Sequence, residues 1–386
     1  MSGSLRIAML SHSTNPRGGV VHAMQLSEAL TALGHEVVLH APDARGSGFF
    51  RTPACRAVCI PVEPAPVDMT AMVEQRIGDY VSYFEGPAAR EFDIFHAHDG
   101  ISGNALATLK ERGLISAFAR TVHHIDQFSD ARLSELQDRS IDKADLFFTV
   151  SSLWRKMLRD KRGVDAAIVG NGVDTVRFSP AWNGEQAALR DSLKLTSSPI
   201  FLSVGGIEAR KNTLGILEAF RQVRAIRPDA QLVIAGGASL LDHRGYQEEF
   251  HLALAGLGSH HGAAVHVIGP IADADMPNLY RMADALVFPS IKEGYGLVVL
   301  EAMASGVPVV VSSIAPFTEY LGPEDAIWCD PHHPASIAEG MALALVAPVR
   351  ERVIPRGLEV AARHGWQRTA AAHIDPYQRL LEAAHA

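Results

Sequence analysis

Cysteine is scarce: Cys55, Cys59 and Cys329 are the only three in 386 residues. An odd number without an export signal excludes a disulfide framework and points to reduced thiols in a cytoplasmic protein. The spacing of Cys55 and Cys59 does not suit a paired zinc knuckle, so both read as small buried apolar residues. The opening stretch, MSGSLRIAMLSHSTN, lacks the basic lead, long apolar run and small-residue cleavage site of a signal peptide. No apolar run reaches the roughly 18 residues a membrane span needs. Positive charge is also short, with 35 Lys and Arg against 43 Asp and Glu, a formal charge of −8. The signs are interspersed, the overall field repels polyanions, and nucleic acid is excluded as a partner.

What is present suits a soluble globular protein: 47% apolar and 20% charged residues. A chain of 386 residues exceeds one ordinary core and fits two domains of roughly 150 to 200 residues each. LRIAMLS reads as a buried strand, HSTNPRGG as a polar loop, and the run from about Val20 to Leu33 as an amphipathic helix closed by Gly34. HEVVLHAP then resumes strand character. FDIFHAHD, SAFARTVHH and DLFFTVS continue the alternation. After the stretch from Asn171 to Gln186 it begins again with PIFLSVGG, QLVIAGG, VHVIGP, ALVFPS and VPVVVSS, and helical segments start near Lys211, Tyr246, Pro277 and Gly296.

Such alternation predicts an α/β fold of mainly parallel sheets covered on both faces. The expected architecture is two Rossmann-like, doubly wound domains, 1–180 and 181–363, facing across a cleft, because open parallel sheets bind ligands beyond the carboxyl ends of their strands. A helical tail, 364–386, is expected to kink or break at Pro376.

EGYGLVVLEAMASGVPVV sets Glu293 and, eight residues later, Glu301 among apolar neighbours. Buried carboxylates need a partner or a ligand. Gly294 and Gly296 leave amides uncovered at a helix start, which suits a phosphate, while a carboxylate farther off accepts hydrogen bonds from sugar hydroxyls. The plain alternative makes Glu293 an acid favoured by the helix dipole and Glu301 the partner of an arginine. In SVGGIEARKNTLGI, Gly205 and Gly206 end a strand while Arg210 and Lys211 open a helix and offer two cations to a diphosphate. A solvated helix start is the alternative, although cations there oppose the dipole.

STNPRGGVVHAM puts Gly18 and Gly19 before a helix without matching G-x-G-x-x-G, so a dinucleotide fingerprint is not supported and a plain glycine turn stands as an equal reading. In HAHD, His96 alternates with His98, and one of the two is expected to face inward. Asp273 to Asp275, DAD, is a D-x-D string, yet Asp275 reads better as a helix N-cap than as a metal ligand. The basic segment WRKMLRDKR from Trp154 to Arg162 reads as solvated charge, with weak peripheral membrane contact as the other reading.

The segment PSIKEGYGLVVLEAMASGVPVVVS is similar to the E-x7-E signature of family 4 retaining glycosyltransferases of the GT-B fold. HAHDG, TVHH, NGVD, IGPI and LYRMADALVFPS are similar to other blocks of that family and occur in its order. The resemblance spans nearly the whole chain. It implies that Glu293 binds donor-sugar hydroxyls, that Glu301 binds the nucleotide ribose, and that Lys211 binds the diphosphate. Where the family has an arginine soon after the strand, this chain has Gly206, and Arg210 is the expected substitute.

By the same resemblance Gly18 and Gly19 lie beside donor phosphates and acceptor, and Gly205, Gly206, Gly269, Gly294, Tyr295, Gly296 and Leu297 belong to the donor-binding surface. His123 would stand by the donor sugar with Asp99 near it, a pairing that also resembles bacterial glycogen synthases. The C-terminal helix would return to the first domain, with a hinge near residues 171–185.

The implied co-substrates are a nucleoside diphosphate sugar and a hydroxyl acceptor, with no cofactor and no metal, and transfer at one face of the sugar. Three rivals remain at this level. One is a nucleotide-sugar epimerase on the same architecture. Another is a metal-dependent hydrolase using His96, His98, His123, His124 and Asp126. The third is a nucleotide-sugar sensor without turnover.

Overall fold

Short runs of branched and aromatic residues become parallel strands in a computed structural model that describes residues 3–237, 243–258 and 262–385. The chain divides into two compact units, one running to Asn171 and taking in the C-terminal helix Trp366–His385, the other Gly172–Gly365.

In the first unit the strands are β1 (Arg6–Leu10), β2 (Glu36–Asp43), β3 (Arg56–Pro61), β4 (Ile94–Ala97), β5 (Ala119–Val122), β6 (Leu146–Thr149) and β7 (Ala167–Ile168). They form a seven-stranded sheet in the order β3-β2-β1-β4-β5-β6-β7. In the second unit β8 (Ile200–Val204), β9 (Gln231–Ala235), β10 (Val265–Gly269), β11 (Ala285–Phe288), β12 (Val309–Ser312) and β13 (Ile327–Cys329) form a six-stranded sheet ordered β10-β9-β8-β11-β12-β13. Neighbouring strands pair in parallel throughout. Each order reverses once, between β1 and β4 and between β8 and β11, and the crevice beyond such a reversal is where open sheets of this kind bind ligands.

Apolar side chains cover both faces of each sheet. Tyr80, Phe84, Phe95 and Phe118 belong to the first core and Phe201, Phe220, Phe250 and Val287 to the second. Each such side chain, fully buried, contributes about 1.5–3 kcal/mol. The Tyr80 hydroxyl lies 2.5 Å from the Ser11 carbonyl and 2.9 Å from the His40 carbonyl, which ties the ends of β1 and β2 to the helix Met69–Phe84.

Several local expectations change. His96 and His98 are both buried, because β4 is a central strand with covered faces, and His96 bonds on both sides, to the Tyr377 hydroxyl at 2.6 Å and to Thr121 Oγ1 at 2.8 Å. The units meet at Asn171 and Gly172, earlier than residue 180. The segment after Gly172 packs within the second unit: Val173 N donates to the His364 carbonyl at 2.7 Å, and Arg177 pairs with Asp273 at 2.7 Å. The helix Trp366–His385 continues through Pro376, held by buried Ala370, His373 and Tyr377. Asp275 occupies an N-cap position but its side chain makes no capping bond, the helix Met276–Arg281 being led in by a 3-10 turn. Strands β3, β7 and β13 have no clear counterpart in the sequence pattern; β3 and β7 are partly exposed edges and β13 has only three residues.

The carboxyl ends of β8 and β9 approach closely. Gly206 has φ +76°, and a Cβ there would lie 2.6 Å from the Gly237 carbonyl oxygen. No side chain fits without moving the backbone, which explains why the arginine expected by resemblance cannot stand at this position. Gly206→Arg is therefore expected to destabilise the protein by about 2–3 kcal/mol, lowering the midpoint of thermal unfolding by several degrees; an unchanged midpoint would contradict the crowding. Buried histidines give a second expectation. Burial lowers the pKa of His22 to about 4, of His40 to about 4 and of His373 to about 3, from 6.5. The unfolded chain then takes up protons that the folded chain refuses, so stability falls as pH drops below about 6.5 and continues to fall to about 4, by about 1.4 kcal/mol per unit for each such histidine. Denaturant melts across that range test it, and a flat profile would contradict neutral burial.

Candidate active site

The second unit gathers charge at its strand-order reversal. The loop after β8 makes a single 3-10 turn, Ala209–Lys211, before the helix Thr213–Ile226, so Arg210 and Lys211 sit ahead of the helix rather than on it. Asn212, at φ +59°, fixes that junction, its amide donating to the carbonyls of Pro289 at 3.2 Å and Pro331 at 2.6 Å. The loop after β11 is tied in through Ile291 N, which donates to the Arg210 carbonyl at 2.9 Å.

Glu293 on this loop accepts, through Oε1, from Arg210 Nη1 at 2.6 Å and Lys211 Nζ at 2.9 Å. Glu293 and Lys211 are each only 8% exposed, while the Arg210 side chain reaches solvent at 40%. Burial lowers the Lys211 pKa, and the Glu293 carboxylate offsets part of that shift. The ammonium also lies 4.3 Å from the centre of the Phe288 ring, a cation–π contact that replaces some lost hydration.

Glu208 completes the cluster and is a residue the sequence reading missed. It is 2% exposed, and its Oε2 lies 2.8 Å from Arg210 Nε, so the guanidinium is held between two carboxylates. The only signal for it was an acid two residues before a pair of cations.

Gly205 and Gly206 end β8 beside this turn, and Gly269 ends β10 at the far side of β9. Gly296 has φ +95° and caps the helix Leu297–Ala304; a Cβ on it would lie 2.6 Å from the Phe317 ring. Tyr295 stacks on Tyr320 with ring centres 4.6 Å apart, and the Tyr320 hydroxyl donates to the Tyr295 carbonyl at 3.2 Å. Gly294 and Leu297 flank Tyr295 and Gly296, whose contacts with Tyr320 and Phe317 fix the backbone of this stretch. Glu301, in the same helix, accepts from the Tyr280 hydroxyl at 2.6 Å, so its donor is a phenol rather than an arginine. Burial raises its pKa, and the Tyr280 bond and nearby Arg177 oppose the rise.

In the first unit Gly18 and Gly19 are the first two residues of the helix Gly18–Ala32 rather than a turn before it. Gly19 adjoins His123: a Cβ there would lie 3.6 Å from the imidazole Cδ2. Asp99 is the N-cap of the helix Gly100–Glu111, Oδ1 accepting from Ser102 N at 2.8 Å, and Oδ2 lies 3.6 Å from His12 Nδ1. Burial would raise its pKa, but His12, Arg120 and the Ser102 amide outweigh burial and lower it. Asp99 is thus a helix cap paired with His12. The neighbours of His123 are His98, its Nδ1 3.4 Å from His123 Nε2, and His22, whose ring centre is 4.7 Å away.

Of the five groups suggested for a hydrolase metal, only His98 and His123 come together. His96 is spent on Tyr377 and Thr121, and His124 pairs with Asp126 at 3.1 Å at an exposed position. In the basic helix Ser152–Arg162 most of the charges are paired. Trp154 is 1% exposed, Arg155 and Arg159 pair with Asp165, Lys156 with Asp160, and Arg162 with Asp138 and Asp142. No helix among the described residues is long and apolar enough to cross a membrane.

Comparison with known proteins identifies the family and the fold. The model described as Glycosyltransferase Family 4 matches residues 16–177, and the model described as Glycosyl transferases group 1 matches residues 185–359. The chain is 28% identical to D-inositol 3-phosphate glycosyltransferase 2 of Catenulispora acidiphila, covering 98% of this chain and 95% of that one. Among solved structures, sucrose-phosphate synthase from Thermosynechococcus elongatus is 22% identical, aligns over 98% of this chain and 99% of its own, and gives a TM-score of 0.77. The Anabaena protein HepE in complex with UDP-glucose is 16% identical over 97% of this chain and 99% of its own, with a TM-score of 0.76. The chain belongs to the family 4 glycosyltransferases and is an enzyme of the GT-B fold.

Proposed function

We propose that this enzyme moves a sugar from a nucleoside diphosphate sugar to a hydroxyl acceptor with retention of anomeric configuration and without a metal. The observation that carries the reading is the convergence of Lys211 and Arg210 on Glu293 at the reversal between β8 and β11. Two cations held at a strand terminus can accept a diphosphate in place of part of their carboxylate pairing. Glu293 then has lone pairs for sugar hydroxyls. The amides at the start of the helix Leu297–Ala304 add further donors. Glu301, oriented by Tyr280, suits the ribose hydroxyls.

The chemistry follows from the charge placement. As the bond from the anomeric carbon to the diphosphate oxygen breaks, negative charge grows on the leaving group, and Lys211 and Arg210 stabilise it. The acceptor hydroxyl attacks from the same face and its proton passes to the departing phosphate oxygen, so the anomeric carbon passes through an oxocarbenium-like state. His123, Gly18 and Gly19 are assigned to sugar and acceptor contact, and Gly205, Gly206 and Gly269 to the donor, through resemblance alone. The relative from Catenulispora, named for an inositol phosphate, and HepE, solved with UDP-glucose, support a hydroxyl acceptor and a nucleotide-sugar donor as classes.

In a transfer assay, Lys211→Ala and Glu293→Ala are expected to lower kcat/KM by about 100-fold or more. Glu301→Gln is expected to raise donor KM by about tenfold with kcat little changed. Glu208→Gln should weaken donor use less than Arg210→Ala, and the double variant should be no worse than Arg210→Ala, because Glu208 acts through that guanidinium. Activity should survive EDTA, and proton NMR should show the donor's anomeric configuration in the product. Equal mild losses at Lys211, Glu293 and Glu301, EDTA-sensitive turnover, or an isomerised sugar formed without any acceptor would contradict the assignment.

A further inference from the structure

We propose that His22, His98 and His123 form a binding site for one borderline transition-metal cation of the Zn2+ class, inside the first unit and sharing the imidazole assigned above to sugar contact. These are the residues among those described whose ligand atoms lie within 4.8 Å of one another in a group of three. A zinc–nitrogen distance of about 2.0–2.1 Å puts neighbouring ligand nitrogens of a tetrahedron about 3.4 Å apart. His98 Nδ1 and His123 Nε2 already stand 3.4 Å apart.

His22 supplies a third lone pair. Its Nδ1 bonds to the Asn171 carboxamide oxygen, an acceptor, so the ring proton sits on Nδ1 and Nε2 carries the lone pair. That Nε2 is buried and has no hydrogen-bond partner among the described residues. A metal-bound histidine usually donates its other ring N–H to an oxygen acceptor that fixes the tautomer, and the Asn171 carboxamide oxygen takes that place here. On His98 the other nitrogen, Nε2, faces the Met9 sulfur at 2.8 Å, which leaves Nδ1 turned toward His123.

Three neutral nitrogens leave the positive charge of a bound cation uncancelled, and Arg120, itself buried, adds to it electrostatically at His123. Asp99, which raises the Arg120 pKa, offsets that charge in part. The set therefore favours a cation that accepts three imidazoles with one open position and disfavours the oxygen-seeking Mg2+ and Ca2+. Entry is from the side of His123, the least buried of the three. The consequence for activity, that a bound cation withdraws His123 from the sugar, rests on the reading given above; the binding itself does not.

Calorimetry of the chelator-treated full chain with Zn2+ alone tests the site. One equivalent is expected to bind with a micromolar or lower Kd. His98→Ala or His123→Ala should weaken binding about 100-fold, Asn171→Ala about tenfold, and a variant with His332 and His333 both changed to Ala, an exposed histidine pair on the other unit, should leave it intact. Unfolding curves without metal identify any variant that does not fold, and His123→Ala, whose side chain is partly exposed, serves if the buried substitutions fail. No one-equivalent binding, or binding unchanged by His123→Ala, overturns the proposal and leaves the assignment of donor and transfer standing; a failed transfer assay would leave the metal site standing.

Discussion

The pairing of buried Glu293 with Lys211 and Arg210 is the constraint around which the second unit is arranged. Taking an ammonium and a carboxylate out of water costs several kcal/mol each, and their attraction repays this only with close geometry. The fold supplies that geometry by bringing the loops after β8 and β11 together where the strand order reverses, and by locking the turn through Asn212 and the Ile291 amide. A replacement by packed apolar side chains would hold the same volume with less desolvation. Charge is kept there instead, with Glu293 buried and the Arg210 side chain half-open to solvent, as the proposed diphosphate site requires.

The departure at Gly206 shows how one local constraint redirects chemistry. The end of β8 has no room for a side chain, and in the following turn a buried acid, Glu208, holds Arg210, the residue proposed as the substitute cation, by the Nε edge. The cluster thus alternates in sign, Glu208, Arg210, Glu293, Lys211, with no net charge from these four groups. Under the proposed function, a diphosphate would shift this pairing rather than meet bare cations.

Much of the architecture was legible in the sequence because central parallel strands are continuous apolar runs ending in polar loops. AMLSHS, VHVIGP and ALVFPS announce both the strand and its functional end. Edge strands such as β3 and β7 escaped, since partly exposed residues there break the apolar pattern. Pro376 misled because a local rule about proline met a helix whose buried side chains hold it together. In the site, Glu293, Lys211 and Arg210 stood out by chemistry and spacing, whereas Glu208 and His22 did not. An acid in a charged turn and a histidine in a helix look like solvated surface until the fold buries them. Asp99, singled out by resemblance, also caps the helix Gly100–Glu111 beside His12.

A crystal structure of the chain with a nucleoside diphosphate tests the account most directly. Phosphate oxygens within about 2.7–3.2 Å of Lys211 Nζ and of the Arg210 guanidinium, at the carboxyl ends of β8 and β11, are the predicted result. A diphosphate seated elsewhere, with the pairing of Glu293 to both cations undisturbed, would contradict it.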